Sequence, residues 1–221
     1  MQFAKQFLFS LIAVSFLGLG GAQARPPEEK TIVLVHGAFA DGSSWQKVIP
    51  LLKAKGYKVV AVQNPLSSLE DDVKVTKRIV NNQKDPVILV GHSWGGMVIS
   101  ELGSNPKVAA LVYVAAFAPA EGDSVTSLLS SAKVPPPGLA EAVADSEGYL
   151  TLSEKGIREH FALDVTPAEQ DLIYAVQGPI FNSAFTAKTS VATWRSVPSW
   201  YVVADKDHMI PPDVQDMMSK R

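Results

Sequence analysis

The amino-acid sequence predicts an α/β protein, a mostly parallel sheet with helices on both faces and a helical cap insertion. Three observations carry this. Five short β-branched runs show little alternation, helix-competent segments separate the first four, and the rhythm breaks once, over 119–198. Continuous apolar runs indicate strands buried on both faces, and strand–helix repeats imply parallel neighbours covered on both sides.

The runs are TIVLVH (31–36), KVVAVQ (58–63), PVILVGH (86–92), VAALVYVAAF (108–117) and SWYVVADK (199–206). Helices are expected from Trp45 to Lys55 after the turn ADGSS, from Ser68 to Gln83 with Val73, Ile79 and Val80 as apolar positions, and from Trp94 to Ser104. Within 119–198, KVPPPG forbids helix or central strand locally, because proline lacks an N–H and clashes with the preceding turn. Helices are expected there around Ser153–Ala162 and Pro167–Ala175. An insertion between two sheet strands is a natural lid. Its apolar residues Phe161, Leu163, Leu172, Ile173, Tyr174, Phe181 and Phe185 are available to line a pocket or to pack the cap down.

With 221 residues, 47% apolar and 19% charged, the chain has the composition of one globular domain. Twenty cationic residues against 22 acidic ones leave a net charge of -2, which gives no electrostatic reason to expect nucleic acid or an anionic membrane surface. A small molecule is the expected partner, and oligomeric state stays open. Residues 1–24, MQFAKQFLFSLIAVSFLGLGGAQA, combine Lys5, an apolar stretch from Phe7 to Leu19 and small residues ending Ala22-Gln23-Ala24. This is the pattern of a secretory signal cleaved near Ala24, which predicts an exported chain of residues 25–221 with its cap over about 119–198. The apolar core is shorter than the roughly 20 residues of a membrane span, so no stable insertion is expected after cleavage. There is no cysteine, and the fold must stand on its own core.

The chemistry concentrates at Gly91-His92-Ser93-Trp94-Gly95-Gly96, between the strand PVILV and the helical MVISEL. A Gly-x-Ser-x-Gly turn in that setting presents a serine nucleophile at the strand end, with Gly91 and Gly95 required because a Cβ would strike neighbouring backbone. The serine then faces the amino end of a helix, where negative charge is favoured. His36-Gly37 follows the first strand and can aim a backbone N–H at that serine. The amides of Ala38 and Trp94 are the expected oxyanion hole.

HGAFADGSSW, VGHSWGG, VYVAAFAP and PSWYVVADKDHMIPP together resemble the α/β-hydrolase superfamily, in particular its small esterase-like members, over essentially the whole chain after the signal. The resemblance implies a Ser, Asp, His triad in that order and no metal or organic cofactor. It assigns the acid to Asp207, with Asp205 and then Asp123 as alternatives.

The resemblance also implies a histidine after one more strand, and the 221 residues carry only His36, His92, His160 and His208. His36 belongs to the turn and His92 to the elbow, pointing away from the reacting face. His208 adjoins Asp207 too closely for a triad, and His160 lies on an expected cap helix, from which it could overhang the site as a substitute base. The expectation is therefore a hydrolase scaffold truncated at its carboxyl end, nearly inert towards esters and marginally stable, with SWYVVADK at an unpaired edge. A small apolar acyl or aryl ester is the expected substrate. Two alternatives stay open: a non-catalytic binding module on the same scaffold, and a lyase using the same serine.

Overall fold

The structure, a computed structural model, describes residues 30–102 and 105–221; the expected signal at 1–24 lies outside them. Its main sheet has five strands: β1 (Thr31–Val35), β2 (Lys58–Ala61), β3 (Val87–Ser93), β4 (Val108–Ala116) and, after the cap, β8 (Ser199–Val202). All four pairings are parallel, in the order β2-β1-β3-β4-β8. The chain leaves β1 towards β2 and returns on the other side to β3. That reversal opens a crevice at the carboxyl ends of β1 and β3, where open α/β sheets bind their ligands.

β1 is buried along its whole length, which its unalternating TIVLV requires. The first helical segment splits into a 3₁₀ turn at Gly42–Trp45, capped by the Asp41 carboxylate, and helix α1 (Val48–Ala54). Helix α2 (Leu69–Asn81) is capped by Ser68 and buries Leu69, Asp72, Thr76 and Val80. Val73 and Ile79 are only half-buried, so the inward face includes two polar residues that an apolar pattern does not reveal. Helix α3 (Gly95–Ser100) is short and wholly buried beneath the sheet's centre.

The cap is not purely helical. It holds α4 (Val125–Leu129), a 3₁₀ turn at Pro137–Glu141, α5 (Glu154–Gly156) running into a π-helical turn at Ile157–Phe161, and α6 (Pro167–Val176). It also contains a three-stranded antiparallel sheet of β5 (Ala142–Ala144), β6 (Tyr149–Leu152) and β7 (Ile180–Phe181). Strands of two to four residues are too short to show a period. The legible signal was the hairpin turn, in which the Asp145 side chain accepts from Glu147 and Tyr149 amides and Gly148 takes a φ of 85°. The 3₁₀ turn begins inside KVPPPG because Pro137 occupies its first position, where a missing N–H costs nothing.

After β8, helix α7 (Pro212–Ser219) packs Val214 and Met218 into the core. Among the described residues β8 pairs with β4 alone, and Trp200 and Val202 are 59% and 53% exposed. An open groove beside it, about 1090 Å³, contains neither Ser93, Asp207 nor any histidine.

Candidate active site

β3 ends on Ser93, whose φ of 51° lies in the left-handed region that a side-chain-bearing residue occupies only under constraint. The glycines around it supply the constraint. A Cβ on Gly91 would sit 2.7 Å from the Gly95 carbonyl oxygen, and one on Gly95 would sit 2.4 Å from that of Val35. The elbow thus closes against itself and against β1. Opposite it, Ala115 is also left-handed, at 40°, where the β3–β4 register slips by one residue. The slip is a β-bulge, a device that re-aims a strand end, and Ala115 borders the crevice.

The His36-Gly37 turn meets the elbow directly: a Cβ on Gly37 would be 2.8 Å from that of Ser93. The His36 ring is buried and fully committed. Its Nε2 accepts the Asn64 backbone N–H at 2.9 Å, so its proton sits on Nδ1, 2.8 Å from the Gly37 carbonyl. Burial lowers its pKa, keeping it neutral. His36 therefore shapes the turn and transfers no proton.

Ser93 opens into a cavity of about 570 Å³ beneath the cap. Ala38 and Trp94 line it, as do Asp205 and Asp207. The Asp207 carboxylate is held firmly: Oδ1 accepts the amides of Met209 and Ile210 at 2.7 and 3.0 Å, and Oδ2 accepts the Gln215 side chain at 2.8 Å. Asp205 is exposed and, among the described residues, has no comparable cradle. Asp123 is engaged elsewhere, accepting from Arg221 at 2.7 Å and from the Ala120 amide. Phe161, Leu163 and Phe185 reach the cavity from the cap, whereas Leu172, Ile173, Tyr174 and Phe181 do not. Leu172 and Tyr174 lie on the solvent side of α6, 52% and 43% exposed. Edge-to-face contacts run Phe161–Phe39–Phe185–Trp94 along the wall.

The remaining three histidines all border the cavity. His92 packs its ring edge-on against Trp45 while the residue borders the Ser93 cavity, and burial lowers its pKa. His160 and His208 both line that cavity and meet each other, Nδ1 to Nδ1 at 3.1 Å. Asp207 and His208, neighbours in sequence, take different partners: the carboxylate is held by Met209, Ile210 and Gln215, and the imidazole meets His160. Asp72 was not foreseen at all. It is fully buried on α2, accepting the Trp94 indole N–H at 2.7 Å and the Leu66 amide at 2.8 Å. Burial pushes its pKa up to about 6 against those hydrogen bonds. Among the described residues no group of three or more His, Cys, Asp or Glu is arranged to hold a metal ion.

A central parallel sheet with a tight elbow at the end of its middle strand, a facing turn and a cap inserted before the last strand define the α/β-hydrolase class. The chain belongs to the Alpha/beta hydrolase family, whose sequence model matches residues 32–221. It is 38% identical to the carbendazim hydrolyzing esterase of Nocardioides sp. (strain SG-4G), over 47% of this chain and about half, 48%, of that protein. It is 26% identical to Methylesterase 8 of Arabidopsis thaliana over 93% of this chain and 82% of the relative. Among solved structures, the pyrethroid hydrolase PytH with BIF superposes with a TM-score of 0.74 at 26% identity, covering 87% of this chain and 84% of that one. Esterase relatives place ester hydrolysis of small molecules at the level of the family.

Proposed function

We propose that the chain carries out acyl transfer at Ser93 on a small carboxylic ester. The observation that carries this is the Ser93 backbone, held left-handed at a φ of 51° with the His36-Gly37 turn packed against its Cβ. A strained serine at a cavity floor is costly to fold and has a use only where its hydroxyl must be presented. In this reading Ser93 Oγ attacks the acyl carbon and the amides of Ala38 and Trp94 receive the developing oxyanion. The alcohol leaves, and water releases the acid from the acyl-enzyme. The aromatic wall supports an apolar acyl or aryl group on the substrate.

Asp207 is cradled as an acid that orients an imidazole. Among the described residues no imidazole hydrogen-bonds it, so within them the proton relay is incomplete. In serine proteases the loss of the imidazole costs on the order of 10⁶ in turnover, with ~10³ to 10⁴ over water remaining. Ester turnover by the 221-residue chain is accordingly expected to fall far below that of a complete triad. Residues 1–24 support export of the chain, testable by amino-terminal sequencing of the secreted product.

The test is a fluorophosphonate probe followed by peptide mass mapping. A slow adduct at Ser93, absent from Ser93→Ala, is the expected result. A folded sample that takes no adduct there would favour the non-catalytic binding module.

A further inference from the structure

The imidazoles of His160 and His208 meet at 3.1 Å through their Nδ1 atoms, with ring centroids 5.3 Å apart. A hydrogen bond between two ring nitrogens requires one to carry a proton and the other to be bare. The pair therefore exists only while it shares a single Nδ1 proton. His160 lies on the π-helical turn of the cap and His208 on the loop that carries Asp207. We propose that this pair is a proton-controlled clasp, closing the cap over the Ser93 cavity while one proton is shared and releasing it when both imidazoles are charged.

The surroundings make the contact a junction. The Gly138 amide of the 3₁₀ turn donates to the His208 carbonyl at 3.1 Å, and a Cβ on Gly138 would lie 3.1 Å from that of His160 and 2.2 Å from Met209 Sδ. Three segments thus interlock where the two rings meet. A π-helical turn is itself uncommon and concentrates at functional positions. The Asp207 carboxylate is tied within its own loop by two amides and Gln215, so separation falls between cap and loop and leaves that cradle intact.

The charges facing the pair set the order of events. Glu141, on the 3₁₀ turn, interacts electrostatically with His160. Asp164, Asp205, Lys206, Asp207 and His92 line the shared cavity. On the cap segment itself, Arg158 is paired with Glu154 and Asp171, Lys155 with Glu141, and Glu159 lies near Lys155. The surrounding carboxylates tolerate a first added proton, which the pair keeps as one charge-assisted N–H···N bond. A second proton leaves no acceptor and sets two like charges side by side. The clasp is then lost when acidification adds the second proton.

Hydrogen exchange of the full chain at about pH 7.5 and about pH 5, corrected for intrinsic rates, tests this. In the wild type, amides of residues 157–164 are expected to exchange about tenfold faster at the lower pH. In His160→Ala they should be fast at both. In His160→Asn they should stay slow at both, because the carboxamide oxygen accepts from His208 whether or not that ring is charged. Protection of β3 and β4 reports folding of each variant, and His208→Asn repeats the test from the other side. Wild-type protection in His160→Ala at the higher pH overturns the clasp, as does wild-type acid opening in both asparagine variants. These readouts do not involve Ser93 chemistry, so a serine that takes no probe leaves the clasp to stand or fall by exchange alone.

Discussion

The indole N–H of Trp94 donates to the carboxylate of Asp72 at 2.7 Å, and both residues are fully buried. The residue after the proposed nucleophile is thereby anchored to α2. The other carboxylate oxygen holds the Leu66 amide, at a residue whose backbone is left-handed with a φ of 59°. One buried acid thus braces a left-handed position, Leu66, and the residue that follows another, Ser93. Its pKa of about 6 means that the folded state binds its proton more tightly than the unfolded chain does. Between about pH 4 and pH 6 the folded state holds more protons, so this group's contribution falls as pH rises through that window. Asp72→Asn removes the titration but leaves one donor poorly met. The stability gap between wild type and variant should narrow with rising pH across that window, by on the order of 2–3 kcal/mol. Urea unfolding at several pH values checks it, and a constant gap would refute it.

Ser93→Gly should abolish probe labelling while making the protein more stable. Glycine adopts a φ of 51° without the steric cost of a Cβ, so a gain of about 1 kcal/mol is expected in thermal or urea unfolding. A loss of stability would mean that the serine hydroxyl, and not its backbone, is what the fold depends on.

Gly95→Ala places a Cβ 2.4 Å from the Val35 carbonyl oxygen, against backbone of a buried strand that cannot yield cheaply. A loss of about 3 kcal/mol is expected. Gly56→Ala serves as the control: its φ of 87° is strained for alanine but nothing lies within 4 Å, so only about 1 kcal/mol should be lost. Equal losses at the two positions would contradict the packing account.

His36→Ala leaves the buried Asn64 amide without its acceptor and should cost about 1–3 kcal/mol. The native ring also brings a pH dependence. Its folded pKa is lowered, so the unfolded chain takes up a proton first as pH falls below the ordinary histidine value of 6.5. Stability from this residue is therefore present at neutral pH and lost on acidification, and the alanine variant should show a shallower acid limb. Melting curves between about pH 5 and pH 7.5 decide it.

The five main strands and the elbow were legible because their determinants are local. Burial on both faces writes itself into TIVLV and VILVG as unbroken apolar runs, and the turn at Ser93 declares its steric demand in Gly91 and Gly95. The cap was less legible. Its β strands are shorter than any period, and its apolar residues divide between cavity and surface according to how α6 lies, so Phe161 and Phe185 face inward while Leu172 and Tyr174 face out.

The strands, the elbow and the facing turn thus follow from neighbours along the chain, where a missing Cβ or a β-branched run acts over a few residues, whereas the order of the strands in the sheet does not. The Asp72 anchor and the His160–His208 contact depend on folding: they join side chains 22 and 48 positions apart. An aspartate on an amphipathic helix or a histidine on a cap looks like any solvated polar residue in sequence. Only packing removes the water around it and leaves another side chain as its partner, and that exchange turns a surface-type residue into a buried brace or a shared-proton contact.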